Sequence, residues 1–303
     1  MKSLINTCFV TLLSLLPFYA IAQVALPPIN LGTTSFIDGM GGPGTLIEES
    51  FQSYSSNRVT DYQGKGISQD SRIESFSAVT LIAHITKRKI FGAYYGFEML
   101  LPSAKLDVEV FDENKESGMG DASISPFILQ WVDKQLFNLP FNHRLNLSFI
   151  VPTGRYDQHK SLNIGSNALS FNPHYAFTLN LTQSSELSMR VHYLWNGKNN
   201  DPYSQLNLRH TQAGQAFHVN MASSYQLHNN LRIGLSSYYL KQLNQHEANG
   251  KSLSNSLEEV FAMGPGLRYQ LPLFTLHANA YVESSARNRS EGERFILKVS
   301  KVF

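Results

Sequence analysis

Several groups of residues in this 303-residue chain have the side-chain types that chemistry needs, and each falls short in its spacing. His246-Glu247 starts as a zinc-protease helix would, with an imidazole ligand and a carboxylate to activate water. That reading requires a second histidine four residues after the first, and position 250 is glycine. The stretch Asp112 to Asp121 carries the acids of a calcium loop, but Ser117 stands where the sharp-turn glycine belongs. Gly41, Gly42 and Gly44 bunch as in a phosphate-cradling loop and lack the strand–helix context that such a loop serves. The ten histidines invite a metal reading, yet no two sit at paired-ligand spacing within one strand. A membrane lipase would need a Ser–His pair on a lipid-facing wall, whereas the histidines here are assigned to an interior. We therefore expect no enzyme, no metal site and no cofactor.

What remains is the elements that position these side chains. Charged residues make up 16% of the chain and hydrophobic ones 42%, with 12% aromatic. So little charge is well below the roughly 25% usual for soluble domains. Lys+Arg 25 against Asp+Glu 23 leaves +2, which gives no global basic field for nucleic acid. One cysteine, Cys8, excludes a disulfide scaffold and any cysteine-rich metal site. Odd and even positions separate by polarity over long stretches, as side chains do on the two faces of a strand. Leu145, Leu147, Phe149 and Val151 oppose Arg144, Asn146 and Ser148; Leu187, Met189, Val191, Tyr193 and Trp195 oppose Ser188, Arg190 and His192. Near Leu276 the phase reverses. Twelve such segments begin near residues 46, 72, 90, 121, 143, 167, 186, 210, 231, 257, 274 and 293. Many reach the roughly 9–11 residues that a tilted strand needs to cross a bilayer.

The first 22 residues read as an export signal: Lys2, an apolar run from Cys8 to Leu16, and Ala20-Ile21-Ala22 as the small-x-small cleavage pattern, with cleavage after Ala22. Nothing later approaches an 18-residue apolar run. Short turns are expected at Lys87 to Lys89, Gln183 to Ser185, Leu227 to Asn230 and Leu271 to Leu273, with a longer one at Asp133 to Asn142. Longer polar loops are expected at Asn57 to Asp70, Asp107 to Gly120, Thr153 to Ser166, Asn196 to Arg209 and Asn244 to Ser256, and a short one at Arg287 to Gly292. Short periplasmic turns alternating with longer extracellular loops are the habit of outer-membrane barrels. A soluble β-sandwich would also alternate, but with shorter strands and less regular loops. Lipid cannot pair free backbone groups, so a spanning sheet must close on itself. The expected fold is all-β: a transmembrane antiparallel barrel of about 12 strands over residues 46–303, in the outer membrane of a Gram-negative bacterium and bathed by its lipids. Residues 23–45 are expected as a periplasmic tail or a plug-like segment. Phe295, Leu297, Val299 and Phe303 share one parity and end on an aromatic residue, which resembles the signal that such proteins present to the barrel-assembly machinery; Lys301 interrupts it.

Short motifs in order point to a family. Val151-Pro152-Thr153-Gly154-Arg155-Tyr156-Asp157 ends one strand and opens a loop. Asp38-Gly39 with Gly42-Pro43-Gly44 lies near the expected mature start, Asn196-Gly197-Lys198-Asn199-Asn200-Asp201-Pro202 follows a Tyr-Leu-Trp strand, and Gly264-Pro265-Gly266 precedes Arg268-Tyr269. The ordered set resembles the outer-membrane proteins named for the meta-pathway of phenol degradation. That resemblance implies an outer-membrane barrel that admits aromatic or other hydrophobic compounds.

The expected lumen-lining residues include His84, Tyr94, Glu98, Arg144, His174, Arg190, His192, His218, Arg232, Arg268, His277, Glu283 and Arg294. Basic groups outnumber acidic ones among them, which favours anionic or aromatic carboxylate solutes, although facing Arg and Glu would also pair across any polar lumen. Pro152, Thr153, Gly154, Tyr156, Asp157, Asn196, Gly197 and Asp201 are expected to shape the extracellular mouth. The expected function is passive uptake of small hydrophobic or aromatic solutes; the alternatives are a structural or adhesive barrel with a closed lumen, and a lipid-modifying enzyme. Arg in place of Leu147 is expected to cost about 2–4 kcal/mol if that residue lies near the bilayer midplane, and Arg in place of Asn146 to be nearly silent.

Overall fold

The computed structural model describes residues 24–34, 36–67, 70–110 and 113–303; the expected export signal, residues 1–22, lies outside them. Twelve antiparallel strands form one closed barrel. They are β1 (Gly44–Ser56), β2 (Arg72–Ile90), β3 (Ala93–Glu109), β4 (Glu113–Met119 continued by Ala122–Leu136), β5 (Leu139–Val151) and β6 (Ser170–Phe171 continued by His174–Asn180). The remaining six are β7 (Ser185–Asn196), β8 (Ala216–His228), β9 (Leu231–Gln242), β10 (Glu259–Gln270), β11 (Thr275–Arg287) and β12 (Glu293–Val302). Each pairs with its neighbour in sequence, and β1 closes on β12 from Leu46↔Val302 to Ser55↔Glu293. The backbones of Phe303 and Thr45 exchange two hydrogen bonds at the periplasmic end of this seam.

The outward parity carries the apolar side chains. Phe76, Ile82, Phe97, Ile124, Leu235 and Val282 lie between 40% and 62% exposed, while Ser125, Ser236 and Glu283, each next to one of them, are buried. A soluble protein does the opposite, so the burial pattern is that of a barrel with lipid outside and polar groups within. Aromatic rings gather at both rims: Trp131, Phe141, His143 and Tyr175 near the periplasmic turns, and Phe149, Phe171 and Trp195 near the outer loops.

Two turns fall elsewhere than expected. β2 runs on through Lys87 to Lys89 and turns at Phe91-Gly92, and β4 and β5 turn at Phe137-Asn138 rather than across Asp133 to Asn142. All four turn residues have positive φ, between 52° and 74°. Two-residue hairpins need that backbone geometry, which Gly and Asn adopt at little cost. The charged residues that suggested loops lie in strand instead, where the chain passes beyond the lipid. The outer ends of β2, β3 and β4 likewise rise as a charged hairpin, in which Arg72 and Lys115 pair with Asp107 and with neighbouring glutamates.

Candidate functional site

Residues 24–34 and 36–43, which precede β1, lie inside the barrel as a strap. Val24, Leu26, Leu31 and Phe36 are all buried. Its upper end is tied among the extracellular loops, where the Leu26 N–H donates to Glu258 Oε1 at 2.8 Å. Burial alone would raise the Glu258 carboxyl, but the Arg289 guanidinium, at 2.5 Å, and His246, at 3.4 Å, hold it down at about 2. The strap then descends. The Gly32 N–H donates to Asn220 Oδ1, the Tyr281 hydroxyl to Gly32 O and the Lys298 ammonium to Thr33 O. At the lower end the Gly39 N–H donates to Thr178 Oγ1, and Gln130 Nε2 donates to Gly39 O.

Two motif glycines are explained by this course. A Cβ on Gly39 would lie 2.3 Å from the backbone of Phe177 and Thr178, so only glycine lets the strap touch β6. A Cβ on Gly266 would lie 2.8 Å from the Phe36 ring, so the Gly264-Pro265-Gly266 segment leaves the recess in which the strap's one phenylalanine sits. Asp38, between these contacts, is gripped by Arg190 from two nitrogens at 2.5 and 3.0 Å and lies 3.7 Å from Arg144.

Beside the strap is a cavity of about 590 Å³. One arc of its wall is cationic and imidazole-rich. His174, His192 and His218 stand at one register across β6, β7 and β8, with ring centroids 4.7 and 4.0 Å apart, and Arg144 and Arg190 lie one rung below. Four of these histidines' nitrogens, together with Arg144 Nε, are buried without a hydrogen-bond partner. The His192 and His218 rings stack and the His174 ring is tilted against His192; among the described residues no cluster of three or more His, Cys, Asp or Glu could hold a metal. The opposite character comes from β1 to β3, whose Leu46, Val79, Leu81, Ala83 and Leu100 line the same cavity. The lumen is therefore amphipathic.

The extracellular mouth is knitted from the motif residues. Asp121, from the acidic stretch, accepts from the Gly154 N–H on one oxygen and from the Ser166 N–H and hydroxyl on the other. Thr153 Oγ1 accepts from the Ala122 N–H after Pro152 ends the strand pairing. Tyr156 reaches across to the next loop, donating to Asp201 O and accepting from Asn199 Nδ2. Asp157 caps a turn through the His159 N–H. Asn196 bridges Ser170 and Gly214 O, and the Gly197 N–H donates to Leu169 O. The loop over residues 152–169 turns inward far enough for Asn163 and Ile164 to line the cavity.

The structure places Tyr94, Glu98, Arg144, His174, Arg190, His192, His218, Arg232, Arg268, His277, Glu283 and Arg294 on the inward parity of their strands. Only some meet at the cavity. Glu98, Arg144, His174, Arg190, His192, Arg268, His277 and Arg294 line it; Arg294 also lies 3.9 Å from Glu283, which accepts from Tyr54 and Tyr238, and Arg232 donates to Ser224 and Gln226. His84 differs. It sits on the outer parity of β2, hydrogen-bonded to Thr45 at 2.9 Å and tilted over Phe97. β2 is apolar on both faces, because Val79, Leu81 and Ala83 serve the lumen while Phe76 and Ile82 serve the lipid, so its alternation does not reveal which face is which. Asn146 also differs from expectation: it points inward but is fully buried and donates to Glu98 at 2.7 Å, so it does not border open water. Sequence reasoning missed the roles of Asp38 and of the inner aliphatic arc. Asp38-Gly39 stood only as a motif near the expected mature start, and an apolar inner wall contradicts the polar-lumen rule.

A family model described as "Putative MetA-pathway of phenol degradation" matches residues 56–299. Among solved structures the chain is similar to the COG4313 outer membrane channel from Pseudomonas putida F1, at 14% identity and a TM-score of 0.77, covering 91% of this chain and 100% of that one. It is also similar to the β domain of the Bordetella autotransporter BrkA, at 9% identity and a TM-score of 0.51, covering 86% and 100%. No curated protein matches.

Proposed function

The chain belongs to the family described as "Putative MetA-pathway of phenol degradation", and on that footing we propose that it is an outer-membrane channel for the passive uptake of small hydrophobic or aromatic solutes. The observation that carries this reading is the cavity of about 590 Å³ inside a closed barrel, with an aliphatic arc on β1 to β3 and polar groups on β5 to β7. A wholly polar lumen would reject an aromatic ring, and a wholly apolar one would trap it. A lumen with both characters offers a ring weak contacts along its way, which suits diffusion. The residues assigned to this path are Glu98, Arg144, His174, Arg190, His192, Arg268, His277 and Arg294, with Tyr94, His218, Arg232 and Glu283 shaping the field around it. The loops held by Tyr156 and Asp201 would form its outer mouth, and Phe303 would present the finished barrel to the assembly machinery.

A second reading rests on the strap and the inward loop, which together fill much of the lumen. On that reading the barrel is structural or adhesive and passes nothing. Solute flux separates the two. Liposomes carrying the refolded mature chain should take up phenol-sized aromatic solutes faster than protein-free liposomes. Equal rates, with folding shown by heat-modifiable migration, would leave the closed barrel as the better explanation.

A further inference from the structure

Asp38 is the strap's only acidic side chain, and it occupies a place in the cavity wall where two guanidinium groups face the same point. Arg190 grips it from two nitrogens at 3.0 and 2.5 Å, and Arg144 stands 3.7 Å from it. Fork-to-carboxylate contact of this kind is how arginine recognises a carboxylate of any origin. The neighbouring cations are not equivalent: Lys298 is paired with Glu48 at 2.8 Å, and Arg294 lies against Glu283. Arg144 has a buried Nε with no partner, and His174 and His192, both almost fully buried in the same wall, hold three more unpartnered nitrogens. In either neutral tautomer one of the two His192 nitrogens is an N–H; a buried donor left unmatched is costly, so Arg144 Nε and that N–H leave this wall short of hydrogen-bond acceptors. Across the cavity lies the aliphatic arc of Leu46, Val79, Leu81 and Leu100.

We propose that Arg144 and Arg190 form a binding site for the carboxylate of a small aromatic or aliphatic acid, and that Asp38 is its built-in competitor. The solute's carboxylate would take the place of the Asp38 carboxylate on the arginine pair, its ring or chain would lie towards the aliphatic arc, and the strap would lift from β6 at Gly39. The proposal rests on the channel reading and narrows its solutes to apolar monocarboxylates. The strap then acts as a latch, since an internal ion pair keeps the pathway narrow until a solute of the right charge replaces it. A neutral ring has no such purchase. Removal of the internal competitor should raise apparent affinity by the factor the closed state had taken away, which we set at about tenfold or more.

The test uses the full mature chain, refolded in detergent, with benzoate as probe and benzamide as its uncharged counterpart, both followed by calorimetry. Asp38→Asn should bind benzoate at least about tenfold more tightly than the unaltered chain and leave benzamide unchanged. Adding Arg190→Gln to that variant should abolish benzoate binding. Benzoate affinity that does not rise in folded Asp38→Asn, or a gain shared equally by benzamide, would overturn the proposal. If Asp38→Asn does not fold, Arg144→Gln decides the matter, because it leaves the Arg190–Asp38 grip in place. It should weaken benzoate binding severalfold, and unchanged binding would count against the site. Binding is read without any flux, so a channel that binds benzoate but never conducts refutes the transport reading and leaves the site standing.

Discussion

Leu147 turns its side chain to the bilayer and Asn146, one residue earlier, turns inward to Glu98. Arg in place of Leu147 should cost about 2–4 kcal/mol if the position lies near the bilayer midplane, measurable as a lowered midpoint of heat-modifiable unfolding. Arg in place of Asn146 should not be silent, because the side chain is fully buried and a longer one must displace Glu98 and Ser125 from their contacts. The same measurement should show destabilisation there, and a silent Asn146→Arg would mean that the inner wall is far looser than the structure shows. Much of this facing was legible, since polar and apolar residues alternate cleanly in β5 and β7. His84 was not, because β2 is apolar on both sides and parity there carries no information. Asp38 was visible as a residue and invisible as a partner of Arg190, being 152 positions away from it.

At the scale of elements the strap is the part with most to lose from small changes. Gly39→Val would drive a side chain into the backbone of β6, where only 2.3 Å separates a Cβ from Phe177 and Thr178. The strap should then fail to seat while the barrel still closes. We expect unchanged heat-modifiable migration together with increased channel conductance, and conductance equal to that of the unaltered chain would show that the strap does not limit passage. The strap's upper tie should depend on acid. Glu258 has its carboxyl held near 2 in the fold against an ordinary value of 4.5, so its contribution is complete above about pH 4.5 and is lost as pH falls towards 2. Hydrogen exchange at the Leu26 amide should therefore quicken, relative to the intrinsic rate, across that window and not above it. Glu258→Gln should remove the pH dependence. Neither tie was legible, because the sequence ahead of β1 has no alternation and its glycines and prolines fit a free tail as well as a strap.

For the molecule as a whole, the number and order of strands followed from period-two alternation and from the regular exchange of short turns with long loops. That regularity has one physical source, because lipid forbids an open edge and a closed barrel repeats one crossing twelve times. What alternation does not encode is how the inside is filled. A twelve-strand barrel is intermediate between those packed solid by side chains and those wide enough for a water channel, so filling depends on a strap and an inward loop whose contacts are long-range. Everything proposed about transport requires that a path through this filled lumen still conducts. Planar-bilayer recording of refolded residues 23–303 reads that path without an intermediary. Discrete current steps, larger in Gly39→Val than in the unaltered chain, are expected. A silent bilayer for both chains, from protein shown to be folded and inserted, would mean that no such path exists.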